Sequence, residues 1–114
     1  SWVPYSEAAL EQAQQDGQPV LIDVYADWCI PCVEMDHVTF RNPRVVQALA
    51  TVRTLRLDAT SEVSPEGEAF LERFRVFGVP ATLFFDRTGH ERKELRLLGF
   101  AKPEEFLERL EQIL

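Results

Sequence analysis

Apolar and polar positions along the chain change period several times, and each change marks an element. Glu7 to Gln15 carries Ala8, Ala9 and Ala13 in a polar background, with Ser6 placed to cap it and Gly17 to stop it. That pattern predicts a helix. Val20-Leu21-Ile22-Asp23-Val24-Tyr25 is a continuous run rich in β-branched residues, broken by one carboxylate. It predicts a central strand buried on both faces, in which Asp23 is conspicuous. From Cys29 to Phe40 the residues Cys32, Met35 and Asp36 follow Cys29 at helical spacing. Pro31 fits only a first helical turn, where its missing N–H costs nothing, so Cys29 is expected at the helix N-terminus.

Asn42-Pro43 restarts a short helix through Ala50, and Val52–Asp58 alternates as a strand with its arginines set among leucines. Ser64-Pro65-Glu66 opens a helix whose apolar stripe is Phe70, Leu71 and Phe74. Gly78-Val79-Pro80 leads into a strand over Ala81–Phe85, the turn Asp86-Arg87-Thr88-Gly89 follows, and Glu94–Gly99 is expected to pair back as a hairpin arm. Lys102-Pro103 opens a last helix with Phe106, Leu107, Leu110, Ile113 and Leu114 on one face. With a weak strand over residues 2–5, the order is β, α, β, α, α, β, α, β, β, α. It predicts an α/β fold with a mixed central sheet and helices on both faces.

At 114 residues the chain has the length of one domain, 1–114, with enough core to need no disulfide framework or structural metal. A net charge of −7 argues against binding nucleic acid or an anionic membrane surface. No apolar run reaches the ~20 residues that cross a bilayer, and the N-terminus shows no basic region followed by an apolar stretch of the kind a signal peptide has. The abrupt start is what a piece cut from a longer protein shows.

The two cysteines, Cys29 and Cys32, form a single CxxC. A ring that small removes little loop entropy, so the pair points to chemistry rather than stapling. Dithiol exchange needs a thiolate, which a helix N-terminus stabilises at Cys29, while Cys32 one turn on can reach back to displace a bound partner. Cys29 is therefore expected to be the exposed nucleophile and Cys32 the buried resolving thiol. The rival reading is half a zinc site completed by His37 and His90, whose spacing matches no second half-site. His37, His90 and Glu34 otherwise read as surface residues.

Ala26-Asp27-Trp28-Cys29-Ile30-Pro31-Cys32, after a strand holding Asp23 and far before Gly78-Val79-Pro80-Ala81-Thr82, resembles the thioredoxin superfamily. Within it, Val38-Thr39-Phe40, Pro43-Arg44-Val45, Leu83-Phe84-Phe85-Asp86 and Gly99-Phe100 make the chain similar, from Ser6 to its end, to the C-terminal periplasmic domain of the DsbD family. The resemblance implies a thioredoxin-like fold and a protein-disulfide reductase with no cofactor beyond a redox-active Cys29–Cys32 disulfide. It implies that Pro80 is a cis-proline facing the CxxC, with Val79 offering a strand-like edge, although position alone also suits a trans proline.

It implies too that Asp23 and Asp36 lie near the sulfurs, Asp23 as proton acceptor for Cys32, and that Trp28, Ile30 and Pro31 meet the partner. From position alone Asp36 also reads as a solvated helix charge, and Trp28 is expected to shield the thiols, with a plain packing aromatic as the alternative. Both carboxylates are expected to oppose the helix dipole and raise the Cys29 pKa. The implied partners are protein thiols and disulfides: a transmembrane redox domain as donor and a periplasmic domain as acceptor, met by a monomer outside the cytoplasm. Two alternatives stand beside this relay, a free-standing soluble or lipid-anchored thioredoxin-like protein and a redox-inert interaction module. Val33 stands where many thioredoxins carry lysine, and Ile30-Pro31 replaces their Gly-Pro.

Overall fold

In the computed structural model, which describes residues 2–114, five strands form one sheet. They are Val3–Pro4 (β1), Val20–Tyr25 (β2), Arg53–Asp58 (β3), Ala81–Phe85 (β4) and Leu97–Leu98 (β5), side by side in the order β1-β3-β2-β4-β5. β3 runs parallel to β1 and β2, whereas β4 is antiparallel to both β2 and β5. The mixed α/β sheet expected from the sequence is present.

Alternation along β2 divides the interior in two. Val20, Ile22 and Val24 join Leu55, Leu57, Leu83 and Phe85 on one face, covered by Leu10 and Ala13 of helix Glu7–Gln15 (α1) and by Phe70 of helix Pro65–Arg73 (α4). Leu21 and Phe84 face the opposite way, onto Met35, Phe40, Val45, Phe106 and Leu110. Those residues come from the segment after helix Ile30–Glu34 (α2), from Pro43–Ala48 (α3) and from Pro103–Glu111 (α5). Asp23 lies between Ile22 and Val24, so the pleat turns it to this second face.

Local rules account for most boundaries. The Ser6 hydroxyl accepts the Ala9 N–H, and Ser64 does the same for Gly67, each satisfying an orphan donor of its helix. Gly17 leaves α1 at φ 67°, a conformation open to glycine without strain.

Two expectations are corrected. The helix expected from Cys29 to Phe40 is α-helical only over Ile30–Glu34; Met35–Phe40 widens into π-helical turns. Tertiary anchors hold the wider turns, because Thr39 Oγ1 donates to the Ala101 carbonyl at 2.5 Å and the Met35 sulfur accepts the Ala101 N–H at 3.5 Å. The hairpin arm expected over Glu94–Gly99 pairs only at Leu97–Leu98, and Lys93–Leu95 is a 3₁₀ turn. Arg109 of α5 donates to the carbonyls of Leu95 and Arg96, so the last helix takes acceptors a longer ladder would use.

Phe106 is fully buried, edge-on to Phe40 and tilted against Phe84. Phe106→Ala should cost about 3–5 kcal/mol, through lost transfer energy and a cavity that α5 cannot close. Urea denaturation measures this; a loss below about 1 kcal/mol would show that α5 adds little to the core.

Candidate active site

Cys29 ends the loop after β2 as the N-cap of α2, extended at φ −91° and ψ 109°. Pro31 lies in the first turn, as expected, and the Cys29 sulfur accepts the Cys32 N–H at 3.2 Å. That N–H would equally stabilise a Cys29 thiolate. The two cysteines form a disulfide.

Exposure does not separate them, since Cys29 is 5% and Cys32 4% accessible. The expected contrast between an open and a buried sulfur is absent because both share one apolar cover of Ala26, Tyr25 and Val79. Trp28 is not part of that cover. Its indole stands two-thirds exposed beside the pair, held by a 2.8 Å hydrogen bond from Nε1 to the Thr60 carbonyl. Ile30 and Pro31 are exposed next to it.

The Val79–Pro80 peptide bond is cis. Val79 packs on the cysteine cluster, and its backbone N–H and C=O make no hydrogen bond among the described residues. No group of three or more His, Cys, Asp or Glu able to hold a metal occurs among the described residues; His37 is exposed and His90 shares a hydrogen bond with Thr88.

Asp23 is almost fully buried, and it has a partner that the sequence did not reveal. The β2–β3 register sets Arg56 beside it. Arg56 donates from Nε to Asp23 Oδ2 at 3.1 Å and from Nη2 to both oxygens of Asp36 at 3.0 and 3.2 Å. The guanidinium lies 3.9 Å from the centre of the Tyr25 ring and 5.7 Å from that of Trp2. Asp23 and Asp36 are thus brought together, but through a shared cation rather than as two bare charges. The only signal for Arg56 was its pairing position: an arginine on the strand neighbouring one that buries a carboxylate.

Burial raises the Asp23 pKa to about 6; Arg56 opposes that rise and the charge of Asp36 adds to it. A carboxyl balanced there can take or release a proton near neutrality. Two cysteines at a helix start, with Val79 of the cis Val79–Pro80 bond packed on them, can support dithiol–disulfide exchange.

A family model described as thioredoxin-like matches residues 1–87. The reduced C-terminal domain of DsbD from Neisseria meningitidis is 36% identical with a TM-score of 0.80, the match covering 95% of this chain and 93% of that one. The chain belongs to the thioredoxin-like family. A thioredoxin from Thermus thermophilus is 29% identical, again with a TM-score of 0.80, over 98% of this chain and 85% of that one. The thiol:disulfide interchange protein DsbD of Ralstonia nicotianae is 43% identical over 108 residues, which are 95% of this chain and 17% of that protein. The chain therefore spans about one-sixth of that relative's length. Membership of the thioredoxin-like family, with the cysteine pair in place, makes this a disulfide oxidoreductase domain.

The raised Asp23 pKa has a signed consequence for stability. The folded protein holds the proton up to about pH 6, the unfolded chain only to 3.8. Ionised Asp23 therefore costs stability above pH 6, and the cost is relieved as pH falls through 6 towards 3.8. In the oxidised protein Asp23→Asn should gain on the order of 3 kcal/mol over wild type at pH 8, with the gain fading by pH 4. Urea titrations at pH 4, 6 and 8 check it; a pH-independent difference would contradict the assignment.

Proposed function

We propose that this domain is a reductant in an extracytoplasmic relay, taking electrons from a membrane-embedded cysteine pair and passing them to a periplasmic acceptor domain. The observation that carries the chemistry is the Cys29–Cys32 disulfide at the start of α2 with Val79 and cis-Pro80 beside it. The relay is supported by the likeness to the DsbD C-terminal domain and to one segment of a much longer DsbD chain.

In the reduced state the Cys29 thiolate attacks a sulfur of the acceptor's disulfide, and the acceptor's other sulfur leaves as a thiolate. Cys32 then gives its proton to Asp23, and its thiolate attacks Cys29 Sγ. The Cys29–Cys32 bond forms as the bond to the acceptor breaks. Two electrons have moved: the acceptor holds a dithiol and the domain a disulfide. A donor dithiol restores the starting state by the reverse steps.

The surface suits a protein partner. Trp28, Phe77 and Val79 line one groove beside the cysteines, and Phe77, Val79, Pro80 and Leu98 line the next. Trp28, Ile30, Phe77 and Leu98 are large apolar side chains left exposed, and such a patch marks a docking face. The unpaired Val79 backbone offers an extended partner segment two hydrogen bonds. A donor and acceptor tethered nearby supply effective concentration, so tight intrinsic binding is not required. The fold similarity to a Thermus thioredoxin favours a second reading, a free-standing reductant of broader range.

Cys29→Ser should abolish exchange, whereas Cys32→Ser should accumulate a mixed disulfide at Cys29, seen as a thiol-sensitive adduct by mass spectrometry. An adduct trapped at Cys32 would reverse the assignment. The same assay run on insulin separates the two readings: slow turnover fits the relay, and fast turnover the free-standing reductant.

A further inference from the structure

One polar atom in the interior lacks an explanation. Thr82 is completely buried in β4, and its Oγ1 is the buried side-chain oxygen with no hydrogen-bond partner among the described residues. An unsatisfied buried hydroxyl costs stability, and valine would fill the same volume without that cost. Its strand neighbour on one side is Leu97, which offers no polar side-chain atom. Its neighbour on the other side, directly across the antiparallel β2–β4 pair, is Asp23.

Residues opposed in this way point to the same face with Cβ atoms roughly 4.5–5.5 Å apart. Asp23 has the complementary shortfall. Arg56 engages only Oδ2, and Oδ1 accepts no hydrogen bond among the described residues. A buried donor without an acceptor therefore stands across one strand gap from the carboxylate whose Oδ2 alone is engaged by Arg56. A small side-chain rotation or one shared water would join the two side chains.

We propose that Thr82 is a positioning residue for Asp23, its hydroxyl donating to Oδ1 directly or through one water and so holding the ionised carboxylate ready for the Cys32 proton. The idea rests on the exchange reading above only for the last step; the hydrogen bond itself can be tested in the resting disulfide. The other titratable and charged groups facing Asp23 are Arg56 from β3, Asp36 from the π-helical turns and Tyr25 from β2 itself. None of these groups lies on β4, so a change at Thr82 removes a hydrogen-bond donor and leaves every neighbouring charge in place.

A donor to the ionised form lowers a carboxyl's pKa, so its loss must raise it. The test follows Asp23 by carbon-13 NMR of its carboxyl in oxidised wild type, Thr82→Val and Thr82→Ser. The midpoint should rise by about one pH unit in Thr82→Val, tenfold in proton affinity, and return close to wild type in Thr82→Ser. The pH at which the Cys29 mixed disulfide resolves at half its maximal rate should rise in parallel. A merely structural threonine would change the unfolding midpoint and leave both titrations alone. An unmoved Asp23 midpoint in folded Thr82→Val, or a Thr82→Ser that behaves like Thr82→Val, overturns the proposal while wild-type exchange stands. Wild type that exchanges no disulfide, with the Asp23 shift intact, counts instead against the exchange reading alone.

Discussion

A carboxyl group in the middle of the central strand constrains much of this molecule. Taking an isolated carboxylate out of water costs far more than a domain's whole stability margin, so Asp23 must be neutral, paired or both. The fold supplies a partial answer. Parallel register with β3 delivers Arg56, and Arg56 is shared with Asp36, which lies on the turns that follow the cysteine helix. Sheet, arginine and helix are thereby tied at one point. The compensation is incomplete, because desolvation still outweighs the arginine and leaves the Asp23 pKa near 6. A structural ion pair would be better served by full ionisation; a proton carrier is best served by balance.

The same reasoning explains which parts of the architecture the sequence disclosed. β2 and α1 appear with the expected boundaries because their signals are local: an unbroken apolar run, a serine cap and a glycine stop. The change to π-helical turns at Met35 was hidden, since Met35, Thr39 and Phe40 are also compatible with an α-helical face and the deciding contacts come from Ala101, more than sixty residues on. The short β5 was hidden for a similar reason. Its would-be ladder loses acceptors to Arg109, a residue of the last helix.

At the site, residue types were legible and their couplings were not. Cys29, Cys32 and Pro31 stand out by spacing and Asp23 as a carboxylate in an apolar strand, whereas Pro80 was implied only by the family resemblance. Arg56 looked like any arginine on an amphipathic strand, and only the pairing register turns it into the counter-ion of two carboxylates. Trp28 was legible as an aromatic beside the cysteines, but the hydrogen bond that ties its exposed indole to the Thr60 carbonyl was not. In each case the missing information was a long-range contact, which periodicity does not carry.

In the proposed exchange the proton of Asp23 and the electrons of Cys29–Cys32 are coupled. Such coupling means that Asp23 binds its proton differently in the oxidised and reduced states, and a plot of reduction potential against pH must then change slope where Asp23 titrates. The measurement is that plot, from pH 4 to 9, for wild type and Asp23→Asn equilibrated against a dithiol buffer. A break near pH 6 in wild type that vanishes in Asp23→Asn is the predicted result. Two parallel lines with no break in either would show that the buried carboxyl does not sense the redox state, and would contradict the account.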